Sequence, residues 1–219
     1  MNKNIKVYLD TNVLKFGIES ARRLVPRNQS LNVNGKEIQF KIHDIFDIPV
    51  HEKVRNQEPL YKGIKLLPRV INFAKQGKFA FCTNFETMFE FWGILLLEEK
   101  KSYFEGSEIK EVQAPIKYSR ILAGFGQDSK TRQFEFLKSI KDKRFQELQK
   151  VTGAYQGENK YNRNQLLDAF HFWCAEYNKC DYFLTLDFKM INHLRKQKKF
   201  TSMVKIVSPV ELLNEIKNT

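Results

Sequence analysis

A chain of 219 residues, 42% hydrophobic and with 19 Phe, is long and aromatic enough for one sizeable core, which excludes a disordered polypeptide. Its formal net charge of +12 points to a polyanionic partner, most simply nucleic acid. No apolar run approaches the ~20 residues of a membrane helix. With no signal-peptide pattern and three cysteines lacking zinc spacing, a reduced cytoplasmic protein is expected.

The first element is a short apolar run, Ile5-Lys6-Val7-Tyr8-Leu9, which suits a buried parallel strand and is followed at once by Asp10. A helix is expected over 12–24, ending before Pro26. The pattern then changes to period two from Leu31 to Ile42 around Asn34-Gly35, the strongest short hairpin signal. This hairpin is too short to build its own core, so 29–65 is expected to be an insertion in a single domain covering 1–219. A helix over 66–75 follows, beginning near Pro68, and then a second buried strand, Phe79-Ala80-Phe81-Cys82.

Thr83 and Glu86 have capping-box spacing, which predicts a helix from Phe85 to about 99. The segment 103–128 is broken by Gly and Pro. An amphipathic helix is expected over 129–151, with its stripe through Phe134, Leu137, Ile140, Phe145 and Leu148. Asn164 caps a further, strongly apolar helix. The run Asp181-Tyr182-Phe183-Leu184-Thr185-Leu186 then ends on Asp187, and a basic helix, a strand over 204–207 and a helix announced by Ser208-Pro209-Val210-Glu211 complete the chain. Alternating strands and helices predict a three-layer α/β/α sandwich around a mostly parallel sheet.

Two of these strands end in carboxylates. Open α/β sheets place ligand sites at the carboxyl ends of their strands, so Asp10 and Asp187 are candidates for one pocket. Asp168 is expected in the first turn of an apolar helix, and a buried carboxylate there must be paired, hydrogen-bonded or metal-bound. Glu86 and Glu90, four apart, share a helix face. Glu86 has a structural role as the partner of Thr83, whereas Glu90 lacks one and is the stronger candidate. Hard oxygen ligands in this number suit Mg²⁺ or Mn²⁺. His171, three residues after Asp168, is read as a partly buried structural side chain rather than a ligand. Between Lys130 and Lys150 seven Lys or Arg face three acids, and between Phe188 and Val210 there are six and no acid. A basic rim around a carboxylate centre fits a metal-dependent enzyme acting on phosphodiesters.

The chain resembles the PIN-domain nucleases. Val7-Tyr8-Leu9-Asp10-Thr11-Asn12 is similar to their first strand and its Asp-Thr turn. Asn84-Phe85-Glu86-Thr87-Met88-Phe89-Glu90-Phe91 is similar to their Thr-x-x-Glu-Leu helix. Asp168-Ala169 opens a segment like their third motif, and Phe183-Leu184-Thr185-Leu186-Asp187 is like their Thr-x-Asp turn. The chain departs from the pattern by its hairpin, by the extended segment 100–165, and by Phe and Trp at positions where small aliphatic residues are usual.

The resemblance implies a metal-dependent endoribonuclease. Asp10, Asp168, Asp187 and Glu90 (Glu86 as the alternate) would hold Mg²⁺ or Mn²⁺, and Thr11, Asn12 and Thr185 would support them. RNA is the implied partner, with no membrane. An antitoxin, another protein partner and a homodimer are left open, as are toxin, processing and defence roles. Two other readings stand beside it: a nucleic-acid-binding or regulatory module with an inactive pocket, and a DNA nuclease.

Overall fold

The computed structural model describes residues 5–88, 91, 102–118, 127–158, 160–197 and 200–217. Its centre is a five-stranded, all-parallel sheet made of β1 (Lys6–Leu9), β4 (Ala80–Thr83), β5 (Ile109–Glu111), β6 (Tyr182–Leu184) and β7 (Lys205–Val207). The order is β5-β4-β1-β6-β7, with β1 in the middle. Val7 pairs with Phe81 on one side and Tyr182 on the other. From β1 the chain builds outward through β4 and β5, then crosses to β6 and β7. The direction of winding therefore reverses between β1 and β6, which is where such sheets open a crevice.

Strand alternation separates two cores. Val7, Leu9, Phe81, Leu184 and Val207 face one way, against α1 (Thr11–Phe16), α2 (Leu60–Lys75) and α8 (Pro209–Lys217). Tyr8, Cys82, Phe183 and Ile206 face the other way, against α4 (Gln127–Ser139), α5 (Lys143–Val151), α6 (Arg163–Tyr177) and α7 (Phe188–Lys196). The result is the expected α/β/α sandwich. Its second core is aromatic: Phe145 stacks on Trp173 at 5.0 Å and Tyr8 on Phe183 at 5.4 Å. No described helix is long and apolar enough to cross a membrane.

Several boundaries differ from expectation. The first helix stops at Phe16, and the chain enters a hairpin of two 14-residue strands, β2 (Ser20–Val33) and β3 (Lys36–Pro49). Pro26 lies within β2 opposite His43 and does not mark a helix end. Asn34 (φ 51°) and Gly35 (φ 78°) form the turn, as their dipeptide predicts. The next helix begins at Leu60 and carries Pro68 inside it, held by a buried stripe through Ile64, Leu67, Val70 and Ile71. The helix expected over 129–151 is two helices, because Asp142 caps the second by accepting the Phe145 N–H at 3.0 Å. The irregular stretch 103–128 contains edge strand β5. The last helix starts as expected: Glu211 accepts from both the Ser208 N–H and hydroxyl at 2.8 Å.

Candidate active site at the carboxyl end of the sheet

Asp10 follows β1 and occupies the N-cap position of α1, yet its side chain makes no capping bond. It is buried to 2% exposure, and its Oδ2 accepts the Thr185 hydroxyl at 2.6 Å. Thr185 lies just past β6, so this bond spans the crevice between the two strands. A hydroxyl has one proton, and the short contact to a carboxylate takes it. The Thr185 oxygen is then an acceptor for the Asp187 N–H at 2.9 Å and the Asn12 amide at 3.1 Å. Asn12 Oδ1 in turn accepts the Leu186 N–H at 2.9 Å, fixing the amide's orientation and tying the start of α1 to the β6–α7 turn. The structure thus brings Asp10, Asn12, Thr185 and Asp187 together within two hydrogen bonds of one another.

Asp187 is half-buried and caps α7: its Oδ1 accepts the Lys189 and Met190 N–H groups, both at 2.9 Å. This cap is a structural reason for an Asp at 187, and it leaves the carboxylate anchored rather than swinging. The turn is also pressed from behind. A side chain at Gly63 of α2 would come within 2.9 Å of Leu186 and 3.3 Å of Phe188, so only glycine permits this approach without displacing them. Thr11, beside Asp10, has a buried hydroxyl with no hydrogen-bond partner among the described residues.

Two expectations change. Thr83 is not the cap of the helix that opens at 85 (α3, described over 85–88); its hydroxyl donates to Leu9 O at 3.2 Å. Asn84 is the cap, accepting from the Thr87 N–H at 3.0 Å. Glu86 is therefore no capping-box partner. It is buried at 3% exposure and receives the Gln133 amide at 2.9 Å, while Arg163 reaches Gln133 at 3.4 Å. Gln133 lies 47 residues away from Glu86, and no local signal in the sequence announces it. Asp168 is in the second turn of α6, not the first, because Asn162 rather than Asn164 caps that helix through the Gln165 N–H. Helix-dipole compensation is correspondingly weaker for it. Asp168 is half-buried, ahead of a run, Ala169–Ala175, that is buried all round. Glu90 lies outside the described residues.

Under the crevice, a buried polar chain joins α3 to α6. The consistent assignment has His171 Nδ1–H donating to Thr87 Oγ1 (3.1 Å) and the Thr87 hydroxyl donating to Asn84 Oδ1 (2.9 Å). The Asn84 amide then donates to Cys174 Sγ at 3.3 Å. Burial pushes His171 down to about 3, so its ring is neutral, and pushes the Cys174 thiol up to about 12 despite the Asn84 bond. Burial raises Tyr8 well above its usual value too. His171 is therefore a structural side chain, as expected. All three cysteines are free thiols; Cys82 and Cys180 meet at 3.3 Å, a proximity their spacing does not reveal.

The basic flanks are partly committed to holding the fold. Arg144 makes two bonds to Glu176 and one to Glu147. Arg195 pairs with Glu211 at 2.8 Å and Lys205 with Glu215 at 2.6 Å. Lys189, exposed in the first turn of α7, remains beside Asp187 at the crevice.

Among the described residues, no three His, Cys, Asp or Glu side chains group closely enough to hold a metal ion. Asp168 thus does not close a three-carboxylate cage with Asp10 and Asp187. The residues at the crevice nevertheless fit a hard cation in one respect. Mg²⁺ commonly takes one or two carboxylates and keeps several waters, and Asp10, Asp187 and the orphaned Thr11 hydroxyl are oxygen donors of that kind. The molecule is an α/β protein with two strand-end acids, Asp10 and Asp187, at the switch point of a parallel sheet. The chain matches no family model, no curated protein and no solved structure.

Proposed function

We propose that the protein is a divalent-metal-dependent endoribonuclease of the PIN-like type, hydrolysing phosphodiester bonds at the crevice between β1 and β6. The observation that carries this reading is the Thr185 hydroxyl, which donates to Asp10 at 2.6 Å and accepts from the Asp187 N–H at 2.9 Å. It joins two strand-end acids, 177 positions apart in the chain, into one preorganised wall. Asp10 stands at a cap position, and its side chain turns to Thr185 across the strands instead of capping α1.

Asp10 and Asp187 would hold Mg²⁺ or Mn²⁺, with Asp168 acting through metal-bound water and Glu90 completing the shell directly or through water. The ion supplies charge neutralisation of the phosphodiester and activation of water. Thr185 orients the Asp10 carboxylate, Asn12 holds Thr185 in place, and Thr11, next in the chain to Asp10, has a buried hydroxyl with no hydrogen-bond partner among the described residues. Lys189 and the basic surface attract the RNA backbone, so binding weakens steeply with salt.

The test is cleavage of single-stranded RNA by wild type and Asp10→Asn in parallel, with Mg²⁺, Mn²⁺ or chelator. Asparagine keeps an oxygen for the Thr185 hydroxyl, so the fold survives while the charge is lost. Cleavage by wild type alone, stopped by chelator, is the expected result. Equal cleavage by both proteins refutes the assignment, and binding without cleavage selects a non-enzymatic nucleic-acid-binding role. A melting comparison adds a second readout: Mn²⁺ should raise the midpoint of wild type and not of Asp10→Asn.

A further inference from the structure

We propose that Cys82 and Cys180 are an oxidative modification site, which hydrogen peroxide closes into a reversible disulfide. The two residues are 98 positions apart in the chain. Cys82 lies in β4 and Cys180 at the entry of β6, and these two strands flank β1 on either side. Folding brings their sulfurs to 3.3 Å, on the side of the sheet that holds the aromatic core. A disulfide needs about 2 Å, so the sulfurs have little more than about 1 Å left to close.

The surroundings divide the pair into a nucleophile and a partner. The Lys6 ammonium reaches the turn before Cys180, donating to Asn178 O at 3.3 Å. Asp181 fastens the same turn to β1 by accepting the Lys6 N–H at 2.9 Å. The Cys82 S–H holds the Cys180 thiol below its usual value against burial, and the Lys6 ammonium acts in the same direction. The same hydrogen bond, with burial, pushes Cys82 up. Cys180 is therefore the thiolate that attacks, and Cys82 is the thiol that resolves. Cys174 lies in the same core, but its sulfur accepts the Asn84 amide at 3.3 Å and burial pushes its thiol up to about 12.

Burial selects the oxidant. Both residues are 3% exposed, which leaves no room for a bulky disulfide such as oxidised glutathione to dock. Cys180 nevertheless stands between exposed Lys179 and half-buried Asp181, one residue beneath the surface. A peroxide little larger than water can reach it. The Cys180 thiolate attacks one peroxide oxygen, the O–O bond breaks, and the departing hydroxide takes up a proton to become water. The Cys82 sulfur then attacks the sulfur of the resulting sulfenic acid. The S–O bond breaks, and hydroxide leaves with the Cys82 proton as a second water. Two thiols are oxidised to one disulfide, and one peroxide is reduced to two waters. The bridge ties β4 to the entry of β6 across β1. It uses none of Asp10, Asn12, Thr185 and Asp187, so it does not depend on the activity proposed for the crevice.

The test is a thiol count on the folded full chain after a slight excess of hydrogen peroxide and its removal. Measured in denaturant, the count should fall from three to one, and a reductant should restore it. Peptide mapping should join the fragments that hold Cys82 and Cys180. The oxidised protein should unfold at higher denaturant concentration, because the bridge closes a long loop in the unfolded chain. Cys180→Ser should keep both of its remaining thiols, whereas Cys174→Ser should lose both. Three thiols surviving in the wild type overturn the inference. So does a bridge that maps to Cys174 or joins two chains, or a bridge that forms without raising the midpoint.

Discussion

The strands of the central sheet are three or four residues long and those of the β2–β3 hairpin, the arm of this fold, are fourteen, yet the short ones are buried and the long ones exposed. Val7, Tyr8 and Leu9 of β1 are fully buried between two helical layers; Leu31, Ile38 and Phe46 of the arm face water. The number of ladder hydrogen bonds does not decide which strands belong to the core. What decides is whether both faces of a strand find a covering layer. The same contrast holds for charged groups. At the crevice Asp10 is enclosed by partners from β6, while on the arm Arg27 and Asp44 meet in the open, where an ion pair contributes little.

The largest expected effect sharpens the buried side of that contrast. Phe145 is fully buried and stacked on Trp173. Phe145→Ala should cost about 3–5 kcal/mol in a denaturant titration. A loss below about 1 kcal/mol would mean that the aromatic core is not the stabilising layer assumed here.

Thr185→Val comes next. Valine fills the same space but removes the Thr185 hydroxyl from buried Asp10 and from the Asp187 N–H, a loss of about 1–3 kcal/mol for bonds to a charged group. Thr185→Ser restores the hydroxyl and should recover most of the stability. If valine is as stable as serine at this position, the hydroxyl bridge is not holding the crevice together.

Much of the crevice is legible in the sequence because its signals are local. An apolar run followed by an acid marks both β1–Asp10 and β6–Asp187, and strand–helix alternation predicts a parallel sheet; that the two strands are neighbours in it is fixed only by the β1–β6 pairing of the folded chain. The Asn34-Gly35 turn is equally local. What escapes is non-local or finely balanced. Glu86 looks like a capping-box partner until Gln133, on a distant helix, is seen to hold it. Asn84 competes with Thr83 for the cap, and only the choice of Asn84 explains the bond to the Thr87 N–H. The break at Asp142 is a cap inside a continuous apolar stripe, so periodicity runs straight through it. The extent of β2 hides because Ser20 to Asn28 lacks the alternation that marks 31–42.

The buried polar chain under the crevice makes the contrast depend on pH. His171 is held down to about 3 by burial, against about 6.5 when unfolded. Below about 6.5 the unfolded chain takes up a proton that the folded chain refuses, so stability falls as pH drops from there toward 3, by at most about 1.4 kcal/mol per pH unit. The window from pH 7 to 5 isolates it from Glu211. Burial alone would raise that carboxyl, but Arg195 and Ser208 hold it at about 2, and its contribution is lost only at lower pH, as pH falls from its unfolded value toward 2. Comparing denaturant midpoints of wild type and His171→Gln across that window should show the wild-type slope and its near absence in the variant. Parallel slopes would remove His171 as the titrating group.

The smallest effect on the folded body is expected at the tip of the arm. Gly35 has φ +78°, and a Cβ there would meet nothing within 4 Å, so Gly35→Ala is penalised by backbone conformation alone, about 1–2 kcal/mol. That strain acts on a ribbon that, among the described residues, packs on the body chiefly at its base. It should therefore loosen the arm without reaching the sheet: amide exchange in 28–41 should accelerate while exchange in β1, β4 and β6 stays unchanged. The melting midpoint of the body should stay where it is. If the central strands exchange faster as well, the arm and the sheet form one cooperative unit. The covering layers would then no longer be sufficient to explain why the short strands are the stable ones.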